Sequence, residues 1–205
     1  LYFGDIRTFD YQPVFSPYSE LQAVYGISLE RNLHPLWFIN LGYTGGKLAG
    51  VQKYFSDGEA ANLRFAGDFH EMSLSLGLNI SELFYGKNEF RRLLLEASAG
   101  IGFMAYRSRL WNYASGVLVD SEGYDASGSA KGAYPTALVI PAGLRLRYAL
   151  NQKTAVLLEA GYSLVLTDRL DAKERNENYD GFFSTRAGIS YTFNRNKKKQ
   201  RKIAP

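Results

Sequence analysis

The chain has 205 residues and no cysteine, which fits a single domain and excludes disulfide and thiolate chemistry. Its 15 Tyr, 13 Phe and 20 Gly are typical of an aromatic β protein punctuated by glycine, and they argue against a helical protein. The formal net charge of +4 is concentrated at the C-terminus, so we expect a domain at 1–193 followed by a basic tail or linker at 194–205. A contact of this tail with anionic lipid or the cell wall is the alternative.

Uncharged stretches of the chain are short. The stretch 136–144 has about half of the roughly 20 residues that a membrane-spanning helix needs, so no such helix is expected. A membrane location would therefore require a closed β-barrel, because an open sheet edge in lipid leaves backbone groups unsatisfied. Residues 1–6 have neither a charged region nor an apolar core, so no signal peptide is expected in this chain.

Alternation of apolar and polar residues predicts eight β-strands. The fourth is the clearest, because Met72, Leu74 and Leu76 alternate with polar residues over nearly the thickness of a bilayer. Pro141 is an unusual residue in the sixth strand, since it lacks one backbone donor. In chain order the predicted strands are 1–6, 21–32, 36–47, 71–80, 93–107, 137–150, 155–167 and 181–193.

The predicted connections alternate between long and short. Long polar loops are predicted at 7–20, 51–67, 108–135 and 168–180, and short turns at 32–35, 86–88 and 151–154. Membrane barrels show this asymmetry, with short periplasmic turns and long outer loops, and an even number of strands places both chain ends on the periplasmic side. A soluble β-sandwich or lipocalin would show shorter strands or a mostly apolar interior.

The polar face of the strands holds mainly Gly, Ser, Asn and Thr, with only a few ionic residues. An eight-stranded barrel is just wide enough for side chains to fill its interior. Ions enclosed there must be paired, because a lone buried charge is very costly. The ionic residues of this face are Glu30, Glu71, Glu96, Glu159, Arg145, Arg147 and Arg186. The middle ones, Glu96, Glu159, Arg145 and Arg186, are predicted to form an internal ion-pair network that plugs the lumen.

The last strand has two unlike faces, with Ile189, Tyr191 and Phe193 on the apolar face and Gly188 on the other. The segment 188–193, Gly-Ile-Ser-Tyr-Thr-Phe, resembles the C-terminal targeting strand of outer-membrane β-barrels, which the barrel-assembly machinery recognises. With its strand number and loop asymmetry, the chain up to Phe193 is similar to the small outer-membrane barrels of the OmpA and OmpX type. This resemblance implies an all-β, eight-stranded, antiparallel, up-and-down transmembrane β-barrel in the outer membrane of a Gram-negative cell.

Aromatic residues fall near the predicted strand ends, where amphipathic rings belong at the lipid headgroups. Trp37 and Tyr148 lie at the turn side, and Tyr43 and Phe103 lie toward the loop side. We therefore expect these four residues to belong to an aromatic girdle. A soluble aromatic core would not explain why the rings cluster by depth.

Candidate catalytic and metal-binding residues are few. His34 lies in a turn, and alternation places His70 on the face opposite Ser73, so a Ser-His arrangement is not favoured. Glu96 and Glu159 resemble a glycosidase carboxylate pair, but neighbouring arginines favour salt bridges. The acidic segment 120–125 offers oxygen ligands without EF-hand spacing, and no phosphate-binding glycine loop is seen. We expect no catalytic activity, no cofactor and no bound metal.

The functional expectation is a non-enzymatic outer-membrane barrel with a plugged lumen, acting as a structural or interaction module through its outer loops and its tail. The expected partners are outer-membrane lipid, lipopolysaccharide and the barrel-assembly machinery, and nucleic acid is not expected. The alternative is an accessory subunit of a larger outer-membrane complex for secretion, assembly or uptake, with protein partners. A lipid-modifying enzyme and a small-solute pore are further alternatives.

Overall fold

The computed structural model describes residues 2–3, 22–54, 60–86, 91–125, 129–130, 132–172 and 179–193. Most of the predicted first strand and the basic tail at 194–205 lie outside these residues. The described part is mostly β-strand and contains one short helix. The elements are β1 (Tyr2–Phe3), β2 (Val24–Asn32), β3 (Trp37–Tyr54), β4 (Ala60–Asn79), α1 (Ile80–Tyr85), β5 (Leu93–Asn112), β6 (Leu118–Glu122), β7 (Thr136–Ala149), β8 (Thr154–Val165) and β9 (Asp180–Tyr191).

All strands belong to one antiparallel sheet with the order β1-β9-β8-β7-β5-β4-β3-β2, and β6 pairs with β5. The sheet curls into a half-barrel, so it has a concave and a convex face. The predicted all-β antiparallel architecture is confirmed. The closing seam differs from a complete barrel, because β1 pairs only with the start of β9 and no ladder joins β2 to β9 among the described residues.

Short connections lie at one end of the sheet, which we call the turn side. After β2, the backbone amides of Leu33 and His34 both donate to the carbonyl of Trp37 and close the predicted turn. After β4, the Asn79 side chain accepts a hydrogen bond of 3.0 Å from the Glu82 amide and caps α1. The prediction that the fourth strand includes Ile80 is therefore wrong by one residue, since Ile80 begins the helix.

At the opposite end, the loop side, the strands are longer than predicted. The loop predicted at 51–67 is mostly strand, because β3 continues to Tyr54 and β4 begins at Ala60. The loop predicted at 108–135 contains the end of β5 and the paired strand β6. The polar appearance of these segments comes from one face only: Arg64 is exposed, while Leu63 and Phe65 beside it are buried.

Pro141 lies inside β7 and is accommodated by a local gap in the ladder. The described β5–β7 pairing includes Ala99 with Ala142 and Gly102 with Val139, and no pair is formed between them. The missing backbone donor of proline accounts for this interruption. The register is the same on both sides of the gap, so the strand continues without changing faces.

The two faces of the sheet differ in chemistry. Apolar side chains on the convex face are strongly exposed, as shown by Ile27 at 72%, Phe103 at 66% and Ile189 at 78%. Most of the buried strand residues, including the charged Glu96 at 4%, lie on the concave face. No helix in the described residues is long and apolar enough to cross a membrane.

Candidate functional site

The most distinctive site is a row of charged side chains across the concave face. Strand register places Glu96 of β5 beside Arg145 of β7, Arg145 beside Glu159 of β8, and Glu159 beside Arg186 of β9. The four residues are far apart in sequence but occupy neighbouring positions on four adjacent strands. Because side chains at paired positions lie on the same face, opposite charges alternate along the row.

Arg145 is the centre of this row, and its side chain is only 12% exposed. Its Nε donates to Glu159 Oε1, and its Nη1 donates to Glu30 Oε2. The same Nη1 lies 3.5 Å from Glu96 Oε2. One guanidinium therefore contacts three carboxylates, an arrangement that its planar, multiple-donor geometry permits and that a lysine ammonium could not reproduce.

Arg186 extends the network along β9 toward β3. Its Nη2 lies 3.3 Å from Glu159 Oε2, and its Nη1 donates a hydrogen bond of 2.7 Å to Thr44 Oγ1. The Arg186 side chain is 32% exposed, more than that of Arg145. The network is therefore best protected at β7 and more open near the β9 edge.

Two further residues complete the network, Glu30 on β2 and Arg147 on β7. Arg147 Nη2 donates to Glu30 Oε1 at 2.8 Å, and Arg147 Nε donates to Glu96 Oε1 at 3.1 Å. The sequence places both residues on the polar face but does not indicate that they join the central group. The six side chains, three Glu and three Arg, balance in charge, and Glu30 links β2 to β7 across the concave space.

Phe38 lies beside the network on the concave face of β3 and is 3% exposed. Its ring lies against Gly77 of β4, where an added methyl group would overlap the ring. The guanidinium carbon of Arg145 is 5.9 Å from the centre of the Phe38 ring. The absence of a side chain at Gly77 therefore leaves space for the Phe38 ring beside the ion pairs.

The loop side of the concave face is filled by apolar side chains, a feature that the sequence reasoning missed. Phe69 and Phe182 pack with ring centres 4.9 Å apart, and Met104, Val139 and Val165 are fully buried beside them. These apolar residues occupy positions of the polar face in the alternating strand pattern, and this could have indicated an apolar layer inside the sheet. The longer polar stretches around them obscured it.

Between the ionic and apolar layers lies Glu71, a buried carboxylate of β4. It accepts a hydrogen bond of 3.1 Å from Ser163 Oγ of β8. Thr44, the residue opposite Glu71, and Ser75, two concave positions further along β4, are also buried polar residues. Along the concave face, the ion pairs are thus followed by hydroxyl and carboxylate groups and then by the apolar core.

The residues predicted for the aromatic girdle lie on the convex face. Trp37 follows the first turn-side connection and Tyr148 precedes the last one, and both are exposed. Tyr43 and Phe103 both lie opposite Met72 of β4, at the other end of the apolar surface. They therefore form one cross-strand row toward the loop side.

The segment predicted as the assembly signal occupies the end of β9. Ile189 and Tyr191 lie on the convex face and are exposed, while Gly188 is on the alternate position with open space beyond its Cα. Phe193 follows the strand and packs edge-on against Tyr191, with ring centres 5.0 Å apart. The final aromatic residue is thus held by its neighbour at the turn side.

The alternative catalytic and metal sites do not assemble in the described residues. His70 Nδ1 lies 2.8 Å from the Tyr43 hydroxyl on the convex face, whereas Ser73 occupies the concave alternation. Part of the predicted acidic loop is strand β6, where Asp120 Oδ1 accepts from the Ser121 amide. Within the described ranges, no group of three or more His, Cys, Asp or Glu residues could hold a metal ion.

Comparison with known proteins gives no assignment: no protein-family model matches the chain, and no curated protein sequence matches it. The two faces of the sheet and the contacts described above are therefore the features that bear on function.

Proposed function

We propose that the chain is a non-enzymatic β-barrel of the bacterial outer membrane whose filled interior makes it a structural or interaction module. The observation that carries this proposal is the inverted polarity of the sheet. Exposed leucine, isoleucine and aromatic side chains cover the convex face, whereas the paired charges lie on the concave face. Lipid favours apolar groups outside and tolerates ions only where they are enclosed and paired.

The height of the apolar surface supports a membrane environment. On β5, exposed apolar residues extend from Leu93 to Phe103, which are ten residues apart. This separation corresponds to about 33 Å along a strand, or about 25 Å along the membrane normal at a tilt of roughly 40°. A barrel in the outer membrane needs an apolar band of about this height.

The filled interior favours a structural or interaction role over a pore. The ion pairs occupy one layer, and the ring of Phe69 packs on Phe182 in the next. Side chains in contact across a small barrel leave no continuous water column. In the proposed barrel the outer loops contact partners, β9 is recognised by the assembly machinery, and the lipids and lipopolysaccharide of the outer membrane surround the convex face.

A charge placed on the convex face tests the proposal. Leu74 is exposed in the middle of the apolar surface of β4, so Leu74→Arg should cost about 2–4 kcal/mol if the side chain faces the bilayer midplane. The measurement is the amount of heat-modifiable, folded chain in isolated outer membranes, with unfolding in urea as the second readout. We expect a clear loss of both.

The matched control is Val119→Arg, because Val119 is similarly exposed but lies in β6 at the loop side. This variant should assemble almost normally, with a cost of about 0–1 kcal/mol. If the chain is soluble, both arginines would point into water and neither should reduce folded protein. Equal tolerance of the two substitutions, or folding without detergent or lipid, would contradict the proposal.

A further inference from the structure

The two outermost long strands of the sheet, β2 and β9, have free edges that face each other. Among the described residues, β2 pairs only with β3. β9 pairs with β8 along its length, and it pairs with β1 only at Gly181 and Phe182. A free part of the β9 edge therefore extends from Ser184 to Tyr191. We call the region between this part of β9 and the outer edge of β2 the seam.

The concave side of the seam is exposed. Gly26 and Ser28 of β2 and Gly188 of β9 occupy concave positions, and all three are exposed. On the interior strands β4 and β5, the concave residues Glu71 and Glu96 are buried. A Cβ built on Gly188 would have no described heavy atom within 4 Å. The seam therefore has room for side chains from a further strand.

Strand direction decides what can pair with the two edges. β2 ends at Asn32 and β9 ends at Tyr191, both at the turn side, so the two strands run parallel to each other. Every described pair in the sheet is antiparallel, and one strand running from the turn side to the loop side would pair in this way with both edges. β1 runs in this direction at the loop-side end of the seam, because Tyr2 lies opposite Phe182 and Phe3 opposite Gly181.

A second copy of the chain does not supply a strand of this direction. Copies inserted in the same orientation are related by an axis along the membrane normal. The free edges of a second copy therefore run in the same direction as β2 and β9, and they cannot pair with them in the antiparallel sense. This mismatch favours a strand from a partner protein.

The convex side of the seam is apolar. Ile27 on β2 and Ile189 on β9 are both strongly exposed there. Successive side chains of a strand point to opposite faces, so a strand between them would present every second residue to the same surroundings. These alternate residues of the partner strand should therefore be apolar.

The concave side of the seam requires different residues. Arg186 Nη1 donates a hydrogen bond of 2.7 Å to Thr44, and it lies 3.1 Å from the position of a Cβ built on Gly26. Only small side chains fit beside this crossing guanidinium. Arg186 Nε is buried and has no hydrogen-bond partner among the described residues, so an acceptor there would satisfy it. Because the three Glu and three Arg of the network already balance, a neutral acceptor is favoured.

We infer that the seam binds one extended strand of a partner protein, which enters from the turn side and pairs with both β9 and β2. The strand alternates apolar residues toward lipid with small, neutral polar residues toward the interior. The inference rests on the proposed membrane function, because unpaired backbone groups at a sheet edge are costly in lipid. No described backbone hydrogen bond joins β2 to β9, so insertion breaks none. Main-chain hydrogen bonds give such strand addition its affinity, and the alternate side chains give its specificity.

A synthetic peptide with the sequence of residues 39–46, Ile-Asn-Leu-Gly-Tyr-Thr-Gly-Gly, has this alternation and is the probe. The folded full chain in maltoside micelles is mixed with the peptide or with a scrambled peptide of the same composition, and amide hydrogen exchange is measured. Without peptide, the seam-facing amides of 26–32 and 184–191 should exchange faster than the amides of β4. The probe should slow their exchange by about tenfold or more, and the scrambled peptide should not. Unchanged protection of β3 shows that the probe does not displace it.

Disulfide coupling tests the direction of the bound strand, because the chain itself has no cysteine. The probe carries an added N-terminal cysteine, and the mixture is oxidised mildly. Ser190→Cys should couple to it, since the N-terminus of the probe would lie at the turn side. Ser184→Cys is the matched control, because Ser184 is also a half-buried concave residue of β9 but lies nearer the loop side. It should couple much less.

The variant Arg186→Lys keeps the charge and removes the Nε donor. It should weaken binding of the probe about 2- to 10-fold, whereas Arg92→Lys, at an exposed residue just before β5, should leave it unchanged.

Four results would overturn the inference: equal coupling of the two cysteine variants, equal binding of the scrambled peptide, equal affinity of the two lysine variants, or seam amides that are already protected without peptide. Disulfide dimers of Ser190→Cys without peptide would assign the seam to a second copy and would also overturn it. Heat-modifiability of each sample shows that the barrel is folded. Such results would therefore count against the strand site and not against the proposed barrel.

Discussion

At the scale of single residues, Arg145 has the most demanding environment in the described chain. It contacts Glu30, Glu96 and Glu159, which come from three different strands. Such a group is stable only if each charge keeps its partners, since an unpaired charge away from water costs several kcal/mol. The role of Arg145 is therefore better described as joining strands than as adding one salt bridge.

Replacing Arg145 tests this role. Arg145→Ala leaves three carboxylates facing two arginines, so we expect a loss of about 3–5 kcal/mol if the network is dry and less if water enters. The double variant Arg145→Ala/Glu159→Ala should recover part of this loss, because the charges balance again. Unfolding in urea, in lipid vesicles, measures both, and Arg92→Ala at an exposed site is the control. Unchanged stability of Arg145→Ala would refute the network as a stabilising feature.

At the scale of elements, β9 connects the ionic row to the convex surface. Arg186 points into the network, while Ile189 and Tyr191 lie on the exposed apolar face. Successive side chains of β9 point to opposite faces of the sheet. A shift of its pairing register by one residue would therefore place Arg186 on the apolar face. The register of β9 on β8 is thus specified by charge as well as by apolar surface.

The end of β9 offers a test of the proposed assembly signal. Phe193→Ser should lower the amount of assembled barrel, because the resemblance to targeting strands implies that the terminal aromatic is recognised, and because Tyr191 loses its ring contact. Phe84→Ser is a matched control, since Phe84 is also a turn-side phenylalanine and is exposed to 75%, against 79% for Phe193. Heat-modifiable protein in outer membranes is the readout. Similar levels for the two variants would contradict a special role for Phe193.

At the scale of the whole molecule, the interior is organised in layers from the turn side to the loop side. The ion pairs form one layer with the Phe38 ring beside them, and Phe69 with Phe182 begins the apolar layer beyond Glu71. The layers differ in chemistry, so a change that weakens one leaves the other in place.

This organisation predicts the electrical behaviour of the protein. The unmodified chain in a planar bilayer should show no steady large conductance, because side chains fill the interior and leave no water column. A bilayer that receives the same detergent without protein is the control for conductance caused by detergent. Heat-modifiability of the protein preparation shows that the inserted protein is folded. A stable open channel would refute the plugged interior and support the small-solute pore instead.

The sequence by itself determined the class of fold and the two faces of the strands that it predicted. Met72, Leu74 and Leu76 alternate strictly with polar residues, and this period of two is a local property that a single strand reveals. The turn residue Asn151 also acts locally, because its Oδ1 accepts hydrogen bonds from the backbone amides of Lys153 and Thr154. Such features were predictable because their causes lie within a few residues of each other.

Only the tertiary structure decided which charges meet and how the concave face is filled. Glu30 and Arg147 are 117 residues apart, and strand register together with the curl of the sheet brings their side chains within 2.8 Å. Phe69 and Phe182 come into contact for the same reason. The extension of β3 and β4 also depends on pairing, because each strand satisfies the backbone groups of the other. Contacts across a sheet depend on register, and register is a property of several strands that no single segment contains.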